Sequence, residues 1–547
     1  MRSTSLRTLV LVYVLIAASF VFMTQAGPAA AQNQRTNLVV GLQLDMPNLD
    51  YFDVATNTIW KGYQLQFNWE PLFTFDPDYA IYADLANSSM GGTACPAGST
   101  GAAGYCVDAS GLNVTVYLRH GVTFTDGQPF TADDVVFTYQ TLGWSTLANG
   151  ISKGIWWAQP KFPLWNSTAN SLGATCTAPA GKPYACDSHV GVTKIDQYTV
   201  KFSFTPHSLP GGVTGGYALA FYDTLVTPII PAHVWKNHIL AAGQANYSDP
   251  NGGMVTDTFD RGIDTSYGAS MAQSDATIGT GPFMLTSWTK NSGSTLSVYP
   301  GYWGKNVFHN WKGTNYYFSP QYLTAINFVV YGSLDVVSLA LQRGEIDTML
   351  WSVTPGFLNQ IKSNPAITAY QSLDSGFFYL SFNLLKSPWN QLVLRQAISM
   401  AIDKDYIVNT LLGGFGTKGT VPISELNFNY VNTSVSPPNF DIQAGRALLL
   451  ANGYTIDPTT GFFNDPSGNP IKGTILVPPK DYDPVRADAG IMISNNLKAM
   501  GLDIDAAPTS FNTIVAKFQV APITYDMYVL GWSLGPFPEA YICSFFC

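Results

Sequence analysis

The stretch INFVVYGSLDVVSLALQRGEID, residues 326–347, changes its hydrophobic period half-way along. Ile326 to Tyr331 is a short, largely β-branched run closed by Gly332, which reads as a buried strand. From Leu334 the apolar residues Leu334, Val337 and Leu341 recur at three and four, which reads as a helix with one apolar face. Strand followed by helix is the repeating unit of an α/β lobe. The text downstream keeps that alternation: FFYLSFNLL (377–385) as strand, VLRQAISMAIDKDYIVNTLL (393–412) as helix, DIQAGRALLLANGY (441–454) as a helix ending at Gly453, IKGTILVPP (471–479) as strand, and ISNNLKAMGLDIDAAP (493–508) as helix then strand.

Upstream the organisation is more mixed. NLVVGLQLD (37–45) and NWEPLFTFD (68–76) read as strands with a helix between them. In GLNVTVYLRHGVTFTDGQPFTADDVVFTYQTL (111–142), Val114, Val116 and Leu118 alternate as a strand, and Asp126-Gly127 makes a turn. Thr131 with Asp134 then forms a capping box for the helix that Val135, Val136 and Tyr139 continue. Asp133 and Asp134 belong to that helix's first turn, where carboxylates favour the dipole, and no catalytic role is assigned to them.

At 547 residues the chain exceeds one ordinary core, and about 150 residues per domain predicts two to four. Only 12% of residues are charged, and the 27 basic and 36 acidic side chains give −9. That balance argues against nucleic acid, which selects clustered Lys and Arg. Residues 1–31 read as a signal peptide: Arg2 and Arg7 precede an apolar run from Leu9 to Met23, and Ala29-Ala30-Ala31 offers a small-residue cleavage site. Export suits the cysteines. Cys95 with Cys106, and Cys176 with Cys186, bracket two Gly/Ala/Pro-rich loops that a disulfide would close, and no His or acid cluster accompanies either pair at metal-ligand spacing.

Catalytic motifs are scarce in the chain. His233 and His238 are five apart and do not align two ligands on a helix face, and no G-x-S-x-G elbow is present. Gly414-Phe-Gly416-Thr-Lys-Gly419 matches a dinucleotide fingerprint only formally, because it follows a helix and not a strand. Glu345 and Asp347 are an acid pair of the kind that helix-to-strand junctions carry routinely. No catalytic, metal or cofactor site is assigned. What stands out is aromatic: 13 Trp, 29 Tyr and 32 Phe, many beside Asn, Gly or Ser. Most must be core, and a minority lining a cleft would suit a ligand held by stacking and neutral hydrogen bonds.

VTVYLRHGVTFTDGQPFTADDVVFTY (114–139), IGTGPFMLTSW (278–288), YPGYWG (299–304), LQRGEID (341–347) and LRQAISMAIDKDYIV (394–408) occur in an order that resembles the family 5 extracellular solute-binding proteins, the oligopeptide- and dipeptide-binding components of ABC importers. The resemblance covers nearly the whole mature chain. It implies a two-lobed α/β fold of the periplasmic-binding-protein type II kind with an extra inserted domain. The expected boundaries are 32–71 plus 191–330 for the first lobe, 72–190 for the inserted domain and 331–547 for the second lobe, with INFVVYG as a hinge crossing. The implied mechanism is capture: the lobes close on an oligosaccharide or oligopeptide, and the closed monomer docks on a membrane permease. Such a protein is secreted or periplasmic, at the outer face of the cytoplasmic membrane, and is not an enzyme. A secreted hydrolase or a ligand-sensing receptor on the same scaffold is the alternative.

Candidate ligand-binding residues are Asn48, Trp69, Tyr379, Asn383, Trp532, Ser533 and Glu539. Peptide binders of this family resemble G-W-x-x-D, whose Asp pairs with the peptide's α-ammonium group. Here the stretch is Gly531-Trp532-Ser533-Leu534-Gly535, with Glu539 as the substitute carboxylate. A buried ammonium without a counter-ion loses several kcal/mol, so the departure, with the charge-poor aromatic composition, favours a neutral solute. The ending LGWSLGPFPEAYICSFFC (530–547) reads as an interrupted site, with an incomplete second lobe, Cys543 and Cys547 unpaired, and no second crossing between lobes.

Overall fold

The computed structural model describes residues 36–50, 58–78, 80–144, 192–203, 208–209, 213–214, 225–238, 267–350, 353–370, 376–424, 431–432, 434–436, 438–519 and 523–532, with 140–144, 208–209, 213–214, 519 and 532 described by backbone alone. They fall into two compact units. One holds the described residues up to Val330 together with Ile346–Thr348, and the other holds Tyr331–Glu345 and the described residues from Met349 on.

In the N-terminal unit, β1 (Asn37–Leu42) leads to helix α1 (Ile59–Leu65), and the short strands β2 (Phe73–Phe75) and β3 (Ile81–Ala83) pair as a hairpin. A five-stranded antiparallel sheet follows, built from β4 (Thr100–Ala102), β5 (Tyr105–Val107), β6 (Asn113–Tyr117), β7 (Val192–Asp196) and β8 (Thr199–Ser203) in the order β4-β5-β6-β8-β7. Because β8 pairs with β6, this sheet runs past the 190/191 boundary expected for the inserted domain. Val114 and Val116 of β6 face a core with Val200 and Phe202 of β8, the period-2 alternation that the sequence shows. Helix α2 (Ala132–Trp144) covers that core, and its capping box forms: the Thr131 N–H donates to the Asp134 carboxylate at 2.9 Å, and the Asp133 N–H to the Thr131 hydroxyl at 3.3 Å. A disulfide joins Cys95 to Cys106. Cys176 and Cys186 lie outside the described residues.

A second five-stranded sheet contains β9 (Phe283–Thr289), β10 (Gly293–Val298), β11 (Ala325–Val330) and β12 (Thr348–Met349) in the order β9-β10-β11-β1-β12, with β1 and β11 parallel. Asp347 enters this sheet by accepting from the Val39 N–H at 2.8 Å. The chain therefore leaves the unit after Val330, returns for Ile346–Thr348 and leaves again. This second passage corrects the expectation of a single crossing; Asp347 is a sheet-edge acceptor here, not half of an acid pair.

Two of the sequence motifs are close-packing devices of this unit. A Cβ at Gly279 would stand 1.8 Å from the Asn68 carbonyl, and one at Gly281 would stand 2.1 Å from the Phe67 carbonyl, so IGTGPF can lie on residues 67–68 only with glycines. In YPGYWG the Tyr299 hydroxyl donates to the Phe124 carbonyl at 2.8 Å, while Tyr302 and Trp303 donate to the buried Glu70 carboxylate.

The C-terminal unit starts with α3 (Leu334–Arg343), capped by Ser333 and stopped by Gly344 in the left-handed region. Its sheet takes β13 (Phe377–Phe382), β14 (Lys472–Val477), β15 (Asp503–Pro508) and β16 (Met527–Trp532) in the order β13-β16-β14-β15. β14 runs parallel to both β15 and β16, and β13 is antiparallel to β16. Both faces are buried, which explains the unbroken apolar run MYVL in β16. Met527 and Val529 face one cluster with Trp389, Leu449 and Leu497, and Tyr528 and Leu530 face another with Ile514. Burying each such aliphatic side chain is worth about 1.5–3 kcal/mol.

Helix α4 (Leu392–Ser399) ends early, because Asp403 caps a new turn at Lys404–Tyr406 that continues as the wide turn Ile407–Leu411. The single helix expected over 393–412 is thus two. Helices α5 (Ile442–Ala451) and α6 (Pro484–Met500) pack on the sheet, and α7 (Phe511–Gln519) follows β15. A Cβ at Gly490 would stand 2.2 Å from Val477, so α6 rests directly on β14. Asp526 fastens the sheet's opposite end by accepting from Trp389 Nε1 and Thr474 N–H, both at 3.1 Å, and from Lys386 Nζ at 2.5 Å.

Candidate functional site

Three parallel strands of the C-terminal unit, β14, β15 and β16, end at one edge, and antiparallel β13 begins there. In open α/β sheets ligands bind outside the carboxyl ends of the strands, where helix N-termini also point. At this edge the chain turns from Val477 through Pro478-Pro479-Lys480-Asp481-Tyr482 into α6, and from Pro508 through Thr509 and Ser510 into α7.

Asp483 caps α6: one carboxylate oxygen accepts from the Arg486 N–H at 2.9 Å and the other from Arg486 Nε at 2.7 Å. Both side chains are buried, at 4% and 3% exposure. Burial is the largest influence and opposes the charge on Arg486, but the charge and hydrogen bond of Asp483, with Tyr482 and Tyr379, together hold the guanidinium above its ordinary value. Aromatic rings enclose the cation: Phe378 at 5.2 Å and Tyr482 at 5.9 Å, within cation–π range. Tyr482 in turn stacks on Phe511 at 5.4 Å and 21°. Phe378 is 40% exposed, so an apolar ring stands at the surface of a pre-organised, internally neutralised base. Beside it Lys480 pairs with Asp488 at 2.5 Å, and Asp481 is an exposed carboxylate. Among the described residues the edge therefore carries the exposed ring of Phe378, the half-buried ring of Phe511 and the exposed carboxylate of Asp481.

Residues 82–547 match the family model of the bacterial extracellular solute-binding proteins, family 5. The chain belongs to that family. As a family 5 protein it is 23% identical over 432 residues to the oligopeptide-binding protein AppA of Bacillus subtilis (strain 168), an alignment covering 79% of this chain and 64% of that one. The chain thus spans under two thirds of that relative. The AppA structure in complex with a nonapeptide superposes with a TM-score of 0.65 at 20% identity, covering 92% of this chain and 81% of the other. A periplasmic oligopeptide-binding protein of Thermotoga maritima, bound to mannohexaose, gives 0.61 at 19% identity, covering 94% and 79%. These likenesses establish the mixed α/β fold of periplasmic peptide-binding proteins. Relatives of this family 5 chain are binding proteins, and the family is extracellular. Among the described residues no helix is long and apolar enough to cross a membrane.

The structure distributes the residues singled out from sequence unevenly. Trp532 ends β16 opposite Phe377, at the carboxyl edge, with only its backbone described; Ser533 and Glu539 lie outside the described residues, as does the rest of the apolar ending. Tyr379 sits two residues into β13, opposite Leu530, with its ring against Phe377 and Tyr528. Asn383 follows the far end of β13, so it stands at the other edge of the sheet. There it is 3% exposed, its Nδ2 donates to the Tyr525 carbonyl at 2.8 Å, and its Oδ1 accepts from the Leu385 N–H at 3.1 Å. Asn48 and Trp69 belong to the N-terminal unit. Asn48 is half-buried after β1, and Trp69 is buried, its indole N–H donating to the Ile278 carbonyl at 3.0 Å.

Phe378, Asp481, Tyr482, Asp483, Arg486 and Phe511 were not anticipated. A signal for the central four was present: in VPPKDYDPVR an Asp precedes a Pro at the first helical position, directly after a strand.

Proposed function

We propose that this chain is the capture component of an ABC importer, binding an oligosaccharide or oligopeptide at the carboxyl edge of its C-terminal sheet and delivering it to a membrane permease. The observation that carries this reading is the Phe378–Arg486–Tyr482–Phe511 arrangement at the strand ends of a family 5 solute-binding protein. Its cation is already neutralised by Asp483 and enclosed by rings, an arrangement that holds aromatic surface in place for binding. Binding, and not turnover, is the activity proposed, by a monomer outside the cytoplasmic membrane, with no cofactor and no nucleic-acid partner. Trp532, Ser533 and Tyr379 are proposed as further ligand contacts, with Glu539 as the substitute carboxylate, and Asn48 and Trp69 of the N-terminal unit are proposed as contacts as well.

A neutral oligosaccharide is the first choice of ligand. Stacking faces beside a self-cancelled ion pair suit a solute without charge, and the mannohexaose-bound Thermotoga protein has the same fold. An oligopeptide is the second, favoured by the exposed Asp481 as a partner for an α-ammonium group and by the likeness to AppA. Intrinsic tryptophan fluorescence under titration with manno-, malto- and cello-oligosaccharides, against a mixed peptide library, distinguishes them. Saturable change with a sugar and none with peptides supports the first, and the reverse pattern replaces it with the second. Native mass spectrometry recovering a chemically cleaved ligand would turn the reading toward the hydrolase.

A further inference from the structure

Glu70, Asp84 and Arg119 meet within the N-terminal unit. Glu70 accepts from the Tyr302 hydroxyl and from Trp303 Nε1, the latter at 2.9 Å. Arg119 lies over the Trp303 ring at 4.1 Å, and its Nε donates to the Asp84 main-chain carbonyl at 3.0 Å. The Asp84 side chain is 5% exposed, and its Oδ1 finds no hydrogen-bond partner among the described residues. Charge does not balance here. Two buried carboxylates face one guanidinium, and an ionised carboxylate oxygen without a donor in such a place is costly.

We propose that Glu70 and Asp84 hold one proton between them in the folded protein, so that the cluster is a proton-linked clamp joining the ends of β3 and β6 to the Tyr302-Trp303 turn. With one carboxylate neutral the cluster carries one negative and one positive charge, and the hydrogen bonds from Tyr302 and Trp303 are kept. Loss of the proton leaves two like charges in the interior. The groups facing the pair support this. Burial pushes Glu70 up to about 7, against the hydrogen bonds of Tyr302 and Trp303, the Thr280 hydroxyl and the charge of Arg119. Burial and then the Glu70 charge push Asp84 well above the carboxylate range, with Arg119 opposing. Tyr302 and Tyr82, which also face the acids, are raised by burial and stay neutral.

The sign follows from linkage. The unfolded chain releases both protons near the ordinary carboxylate value, while the folded chain keeps one to about neutrality. The clamp's contribution is therefore complete in acid and is lost as pH rises through about 7, at about tenfold in the folding equilibrium constant per pH unit. Urea unfolding of the full oxidised chain, without ligand, between about pH 5 and about pH 8 tests this against Glu70→Gln. The wild type is expected to lose stability relative to E70Q as pH rises, by about tenfold per unit until the effect levels off near neutrality. A ratio of folding constants that stays flat across the range overturns the proposal. Infrared spectroscopy gives a reading that does not need E70Q to fold: near pH 6 the wild type should show a protonated-carboxyl C=O band that Asp84→Asn removes. A wild type without that band, or a band unchanged in D84N, overturns it equally.

Discussion

Phe378 occupies the space that a side chain at Gly531 would need: the two are cross-strand partners in β13 and β16, and a Cβ on Gly531 would stand 2.4 Å from Phe378 Cδ1. The glycine before Trp532 is thus explained by its neighbour and not by its own backbone. It lets an aromatic ring lie over the strand beside Arg486, where a larger residue would drive it away.

Gly531→Ala is expected to destabilise the chain by about 1–3 kcal/mol through overpacking. Because the clash is with one ring, the double variant with Phe378→Ala should cost less than the sum of the two single changes. A double-mutant cycle in urea unfolding reads the coupling, and strict additivity would show that Phe378 does not occupy this space.

Asp483→Ala removes both the α6 cap and the counter-ion of a cation that is 3% exposed. Taking the counter-ion from such a charge costs about 3–5 kcal/mol. Replacing both partners, Asp483→Ala with Arg486→Met, should recover part of that loss. Equilibrium unfolding is the measurement, and a loss under about 1 kcal/mol for the single variant would mean that Arg486 reaches water.

Asp481→Asn separates the two ligand classes. If an oligopeptide binds, removing the exposed carboxylate should weaken it by tenfold or more, about 1.4 kcal/mol. If a neutral sugar binds, affinity should stay within a factor of about three. Titration calorimetry of wild type and D481N with the ligand that changes the tryptophan fluorescence decides between these outcomes.

Reducing Cys95–Cys106 opens a short ring around the β4–β5 hairpin, and the lost loop constraint is about 2–3 kcal/mol. A lower unfolding midpoint in dithiothreitol, abolished by Cys95→Ser with Cys106→Ser, checks this. An equal midpoint in both redox states would show that the hairpin holds itself.

Much of the architecture was legible because local text and burial agree. The period change at residues 331–334 marks a strand and a helix that both form, and the continuous apolar run of β16 announces a strand buried on two faces. The capping box at Thr131 and Asp134 forms as its spacing requires. The break at Met400–Asp403 was hidden because the apolar periodicity continues through it, while Asp403 caps a second turn.

The site was less legible, for a topological reason. Asn383 and Tyr379 are near neighbours in sequence, yet β13 runs against β16, and that reversal carries Asn383 to the edge away from Trp532. Arg486 and Phe378 lie more than a hundred residues apart and meet only because β16 inserts between β13 and β14.

The sequence by itself determined the strand and helix on either side of Tyr331, the Thr131–Asp134 cap, the Cys95–Cys106 pairing, and the motifs that place the chain in family 5, since each is written in short-range spacing. Tertiary structure alone decided which strand ends share an edge, that Asp483 neutralises Arg486 there, and that the buried Glu70 and Asp84 face the one half-buried cation of Arg119. Strand order and charge balance are sums over segments distant in the chain, and no local pattern records them.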